Sequence, residues 1–287
     1  MKAPWLPWVT TTLLLAAALA PCAALARPHQ AALHGCAAPR SWRHAAEDNG
    51  DSVHAMAWSP FGRAEQGWEI YQPKIASEIA SACPRDTPGF AAAIARWQRR
   101  HDLPANGRLD PATFDVMKKG WQDRRPYVTL RGDGICPDPP DPSKLVAAGP
   151  EETFGGKVVI LRATTLAALR RMVAAARRAV PDDDGEPNRL TLFSGYRNPA
   201  DDAARCEAEG NCNGVVRAQC SAHRTGLAVD LVIGAAPGFT VDSSVDANRL
   251  YQTQTATYRW LLANAKRFGF VNYVFEPWHW EWTGQAP

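Results

Sequence analysis

At 287 residues the chain is long enough for two domains. Its formal charge of +3 does not call for nucleic acid as a partner, although mild basicity suits an anionic polymer. Beyond the first residues, no apolar run approaches the length of a membrane span.

Residues 1–26 read as a secretory signal: Lys2 is the single charge, Thr12 to Ala20 is a short apolar core, and Ala24-Leu25-Ala26 is a small-residue cleavage site. Cys22 follows Pro21, which spoils a lipid-attachment motif. Removal of the signal leaves Cys36, Cys83, Cys136, Cys206, Cys212 and Cys220, an even set that reads as disulfides in an exported chain, with pairing left open. A cysteine zinc cluster from Cys206, Cys212 and Cys220 is the rival reading, and their spacing is not C-x-x-C.

Residues 27–67 form an N-terminal extension with little periodicity; its His29, His34, His44 and His54 match no ligand spacing. Residues 68–120 read as small helices. One spans Tyr71 to Ala82. A better one runs from Pro88 to His101 with Phe90, Ile94 and Trp97 on one face. A turn follows at Leu103 to Gly107, then a helix with Asp110 as N-cap and Pro111 at its first position. Residues 121–150, with Pro137, Pro139, Pro140, Pro142 and Pro150, read as a linker that disfavours helix and strand interiors.

Residues 151–287 read as an α+β domain. Strands are expected at Val158 to Leu161, Leu190 to Gly195, Leu227 to Ile233 and Phe270 to Phe275. Helices are expected at Thr164 to Ala179 and, as one long element, Ala247 to Phe268, stopped by Gly269. Asn198 to Cys220 reads as an insertion without clear periodicity.

This domain holds the chemistry. Ser221 to Asp230 reads S-x-H-x-x-G-x-A-x-D, and Glu276 to His279 reads E-x-x-H. His223, Asp230 and His279 offer two imidazoles and a carboxylate; Glu276 is a spare carboxylate. That is the donor set of a catalytic zinc site with an open position and a general base. Strand alternation puts Asp230 on the face of Ala228 and sends Val229 and Leu231 into a core. Gly226 lets the chain turn between the two ligands, and Pro277 bends the second motif so that positions 276 and 279 can converge. Glu281 shares a face with His279 and reads as a hydrogen-bond partner of that ligand or a rival base. A buried histidine beside an unrelated strand aspartate is the bland alternative that spacing alone leaves open.

These motifs, with Ser194-Gly195-Tyr196-Arg197 upstream, resemble the VanY type of zinc D-Ala-D-Ala carboxypeptidase, over roughly residues 150 to 284. The resemblance implies a hedgehog-like domain with a central, mainly antiparallel sheet and zinc (Zn2+) as cofactor. It also implies His223, Asp230 and His279 as metal ligands, Glu276 as the catalytic base, and Arg197 as a catalytic or substrate-binding group. Tyr196 and Ser221 are further substrate-contact candidates, though Ser221 can equally cap a turn. The run from Phe90 to Phe114 resembles the three-helix peptidoglycan-binding domain of wall hydrolases, ahead of a generic helical hairpin. Peptidoglycan or its stem peptides is therefore the expected partner, in the periplasm or outside the cell, for a monomer. A D,D-carboxypeptidase leads; a cross-link endopeptidase or a non-catalytic zinc wall-binding module are the alternatives.

Overall fold

A computed structural model describes residues 1, 35–37, 39–132, 136–180, 189–208 and 220–284. Apart from Met1 the expected signal lies outside the described residues, as do His29, His34 and Cys212.

The chain builds two apolar cores. The first gathers Trp68, Tyr71, Ile75, Phe90, Ile94, Trp97, Phe114, Met117 and Trp121. Its helices are α1 (Arg43–Ala55), α2 (Gln72–Glu78), α3 (Pro88–Arg100), α4 (Pro111–Asp123) and α5 (Pro126–Arg131), with a short hairpin of β1 (Ala57–Trp58) and β2 (Glu65–Gln66). The α3 helix starts as its sequence dictates: Thr87 accepts from the Phe90 N–H, and Pro88 occupies the first turn. Phe90, Ile94 and Trp97 then lie buried on one face, each contributing roughly 1.5–3 kcal/mol by leaving water. Asp110 caps α4 by accepting from the Thr113 N–H at 2.7 Å. Gln98 organises the turn between α3 and α4: its amide donates to the Arg108 carbonyl and the Thr113 hydroxyl, both at 3.0 Å, and its oxygen accepts from the Gly107 N–H at 2.9 Å.

Two expectations fail in this region. The extension is not aperiodic: α1 packs on α3, and Asn49 bonds the Gly107 carbonyl and the Leu109 N–H at 2.9 and 2.8 Å. Its helix was hard to read because α1 buries only Ala45, Ala46, Asn49 and Val53. The proline-rich stretch 121–150 also carries structure: the end of α4, all of α5, and the strand β3 (Leu145–Ala147). Pro126 and Pro142 sit in the first turns of helices, where a missing N–H costs nothing.

The second core lies between helices and a four-stranded sheet. The helices in this part of the chain are α6 (Ala163–Ala179), α7 (Pro199–Ala208), α8 (Asp246–Gln254) and α9 (Ala256–Asn264), of which α6 and α9 supply core residues. The strand β4 (Ile160–Arg162) pairs antiparallel with β3. The main sheet holds β5 (Leu192–Ser194), β6 (Ala228–Leu231), β7 (Phe270–Asn272) and β8 (His279–Trp282) in the order β5-β6-β8-β7, every pair antiparallel. Val229, Leu231, Trp278 and Trp280 enter this core. The mixed helix-and-sheet fold class is therefore as expected. The long helix is not: it breaks at Thr255, whose hydroxyl accepts from the Tyr258 N–H at 3.1 Å and caps a new helix. The insertion holds α7, capped by the Asn198 side chain at the Asp201 N–H; residues 209–219 lie outside the described residues. Disulfides join Cys36 to Cys83 and Cys136 to Cys220, and Cys206 is disulfide-bonded as well, so the cysteine-cluster reading falls. Among the described residues no helix is long and apolar enough to cross a membrane.

Candidate metal centre

The register of β6 and β8 sets Asp230 opposite His279. His223 arrives on the short helical turn Ala222–Thr225, which ends on Gly226 in the left-handed conformation at φ 67°, the turn its glycine was expected to allow. One ligand atom from each of His223, Asp230 and His279 falls within 4.8 Å of the others, and all three residues are buried. Asp230 holds the imidazoles apart and together: Oδ2 lies 3.1 Å from His223 Nε2, and Oδ1 lies 2.9 Å from His279 Nδ1.

Both imidazoles are oriented from behind. His223 Nδ1 sits 2.6 Å from the Gly195 carbonyl, an acceptor only, so that nitrogen carries a proton. A Cβ at Gly195 would come within 2.5 Å of the Ile160 carbonyl, so only glycine brings that carbonyl here. His279 Nε2 lies 3.4 Å from Glu281 Oε1. Protons on these outer nitrogens leave two lone pairs aimed at one carboxylate, an arrangement that suits a cation among the three. The donor set and its outer partners fit zinc. In the metal-free protein a second imidazole proton does the same service. Burial opposes the charge on His279, but hydrogen bonds to Asp230 and Glu281 outweigh it and push its pKa up to about 9. Burial likewise opposes the charge on Asp230, and the two histidines overcome it and hold the carboxyl far below its usual range.

Glu276 lies in the turn between β7 and β8, which begins at Val274, ahead of the bend expected at Pro277. Its Oε2 is 3.9 Å from His279 Nδ1, and its side chain is 30% exposed while the histidine is 4% exposed. The Glu276 N–H donates to the Tyr273 carbonyl and the His279 N–H to the Glu276 carbonyl, both at 2.9 Å, closing the turn. Glu281 is withdrawn from this opening. It is buried against Arg125, whose Nε donates to it at 2.6 Å, and it accepts from the Tyr127 N–H at 2.8 Å. Burial alone would raise its pKa; Arg125 and His279 bring it down to about 2. It faces His279 from the side away from Glu276.

Arg197 and Ser221 meet at 3.3 Å, and the Arg197 N–H donates to the His223 carbonyl at 3.3 Å, which ties this pair to the cluster. Asp202, which sequence reasoning missed, gathers the group. It accepts from Arg197 at 3.3 Å, from the Ser221 hydroxyl and N–H at 2.9 and 3.1 Å, and pairs with Arg224 at 3.3 Å. Its signal was present in Asn198-Pro199, an N-cap followed by a first-turn proline, which starts the helix that buries it. Tyr196 is half-buried and anchored through its N–H to the Ile160 carbonyl at 2.6 Å. Asn272 was also missed; it donates to the His279 carbonyl at 2.9 Å and steadies the hairpin. His44 and His54 pair with Glu47 and Glu69 and join no metal-type cluster among the described residues.

The model of the D-alanyl-D-alanine carboxypeptidase family VanY matches residues 159–285, and that of a peptidoglycan-binding domain matches residues 85–117. Among solved structures the chain is similar to the LdcB LD-carboxypeptidase, described for its peptidoglycan recognition. Identity is 26%, over 50% of this chain and 70% of that one, with a TM-score of 0.37. It is also similar to a mutant of the D,D-pentapeptidase VanY from a VanB-type vancomycin-resistance cassette, in complex with Zn(II). There identity is 20%, over 52% of this chain and 84% of that one, with a TM-score of 0.29. No curated protein matches. Residues 159–285, which carry the His223, Asp230 and His279 cluster, thus match the model of the VanY D-alanyl-D-alanine carboxypeptidase family, and the residues that match a peptidoglycan-binding domain precede them.

Proposed function

We propose that the protein is an exported zinc peptidase that removes the terminal D-Ala from peptidoglycan stem peptides. In this reading residues 1–26 are the signal, the helical region around 68–120 contacts the wall, and residues 151–287 carry out hydrolysis. Zinc held by His223, Asp230 and His279 would supply a Lewis acid that acidifies water and polarises a peptide carbonyl. Glu276 takes the proton of the attacking water and delivers it to the leaving amine nitrogen. Arg197, with Ser221 and Asp202 fixing its guanidinium, donates to the oxygen that gains charge or to the substrate carboxylate. Glu281 and the Gly195 carbonyl keep both imidazoles in the tautomer that ligation needs. Two disulfides between described cysteines accord with an oxidising compartment.

The observation that carries this reading is the half-open Glu276 carboxylate beside a closed histidine–aspartate cluster. A structural metal site has no use for such a group, which favours the enzyme over the non-catalytic alternative. The test is mass spectrometry of purified muropeptides after incubation with the mature protein. Loss of one terminal D-Ala supports the carboxypeptidase; cleavage of dimers into monomers would make it an endopeptidase; unchanged muropeptides would return the non-catalytic module.

A further inference from the structure

The segment before Glu276 is gripped by residues that lie far outside its own hairpin. Tyr273 lies under the Arg125 guanidinium at 3.9 Å and edge-on to Phe61 at 5.9 Å. Val274 is buried in the N-terminal core, among Phe90, Trp97 and Phe114, not in the core of its own sheet. Phe275 packs against Phe61 at 5.2 Å and lies beneath Arg63 and Arg249 at 5.3 and 4.1 Å. Three consecutive side chains leading to the proposed base therefore rest on residues 61–125.

Arg249 is the centre of this grip. It is fully buried on α8 and its Nε donates to the Phe275 carbonyl at 2.8 Å, one residue before Glu276. Its other nitrogens are fixed by the N-terminal region. Nη2 donates to the Tyr71 hydroxyl at 2.6 Å, Nη1 to Glu65 at 3.2 Å, and Tyr71 in turn donates to Glu65 at 2.6 Å. Nη1 also reaches Asp246 at 3.2 Å, and Arg63 pairs with the same aspartate. A buried guanidinium whose carboxylate and phenol partners come from the other core is costly to build for packing alone, since apolar residues of similar volume hold cores at least as well.

We propose that Arg249 is a positioning residue for the Glu276 loop, and that Glu65 and Tyr71 complete it. On this account the helical N-terminal region is part of the catalytic unit and not a detachable wall-binding appendage. The loop turns at Val274 and Phe275, and its own sheet holds it through the hairpin bonds, Asn272, and the Trp280 indole N–H that donates to the Pro277 carbonyl at 3.1 Å, none of which reaches the Phe275 carbonyl. The Glu65–Tyr71–Arg249 chain fixes the Phe275 carbonyl, hence the direction in which the next residue leaves. An error of about 1 Å in placing a catalytic group is enough to cost about 100-fold in rate.

The inference rests on Glu276 being the base, so wild type and Glu276→Gln are measured first on a pentapeptide muropeptide. An inert wild type, or full activity in Glu276→Gln, removes that reading and this inference with it. With that established, Tyr71→Phe keeps the ring and deletes the hydroxyl, Glu65→Gln keeps the shape and deletes the charge, and Arg249→Lys keeps the charge and deletes the bond to Phe275. Assays run well below each variant's melting transition. The expected result is a fall in kcat of about 10-fold or more, with KM within about 2-fold of wild type and zinc content unchanged. Amide exchange in a peptide covering 270–278 should quicken while one from α6 stays as in wild type, and Arg249→Lys should recover part of the activity lost in Arg249→Met. Wild-type kcat in soluble, zinc-loaded Tyr71→Phe and Glu65→Gln would overturn the proposal while leaving Glu276 as base. Equal losses in kcat and exchange protection across the whole chain would also overturn it, because that marks general loosening.

Discussion

Glu281→Gln separates the two duties assigned to that carboxylate. The substitution keeps the shape and one acceptor oxygen but removes the charge opposite Arg125, and both partners are buried, with side-chain exposures of 1% and 8%. Removing one member of a buried pair leaves the other charge uncompensated, at a typical cost of about 3–5 kcal/mol. Gln can still accept from the Tyr127 N–H, which Glu281 contacts at 2.8 Å, so the loss should fall at the low end, about 3 kcal/mol. Glu281 also faces His279 Nε2 at 3.4 Å. Loss of such an outer hydrogen bond typically weakens metal binding by about 10–100-fold. Urea unfolding in the presence of a chelator reads the first effect, and zinc competition titration reads the second. Arg125→Met in the Glu281→Gln background should restore much of the stability and none of the zinc affinity, because only the ion pair involves Arg125. A stability loss below about 1 kcal/mol together with unchanged zinc affinity would refute the reasoning.

Two further expectations concern stability. Lys74 is held over the Trp121 ring at 5.7 Å, and burial lowers its pKa from 10.5 to about 8. Below pH 8 both folded and unfolded chains carry the charge and the burial cost is complete; between 8 and 10.5 the unfolded chain binds more protons, so stability rises with pH. Lys74→Met should therefore stabilise the protein at neutral pH by on the order of 1–2 kcal/mol, after allowing for partial exposure, and the advantage should vanish above pH 10.5 in thermal melts across this range. Replacing Cys136 and Cys220 by serine opens a bond spanning 84 residues and should cost about 2–4 kcal/mol. Zinc content should be retained, since no described cysteine joins the cluster; zinc loss in step with unfolding-independent thiol modification would contradict this.

The metal cluster was legible because its residues fall in two short motifs whose spacing fixes their faces. Asp230 and His279 needed only strand alternation and a sheet register, and Glu276 needed a turn, which begins at Val274, ahead of the bend that Pro277 announces. What stayed hidden were partners joined across long separations. Arg125 lies 156 residues from Glu281 in a proline-rich stretch that reads as linker, and nothing local tells a buried guanidinium from a surface one. Glu65 and Tyr71 meet Arg249 across 184 and 178 residues, so the dependence of the catalytic loop on the N-terminal core has no sequence signature. The break at Thr255 was missed because its neighbours keep helical periodicity on both sides, and only the side-chain cap decides. Asp202 was missed for the opposite reason: its helix is short and sits in a segment dominated by polar residues.

The central claim is that a histidine–aspartate metal centre works with Glu276 as its base. The most direct test follows D-Ala release from a pentapeptide stem by wild type and Glu276→Gln, each stripped with a chelator and then given one equivalent of zinc. Wild type should lose activity on stripping and regain it with zinc. The variant should take up the same zinc yet release D-Ala about 100-fold or more slowly. Activity that survives removal of all divalent metal, or zinc-loaded Glu276→Gln at the wild-type rate, would contradict the account.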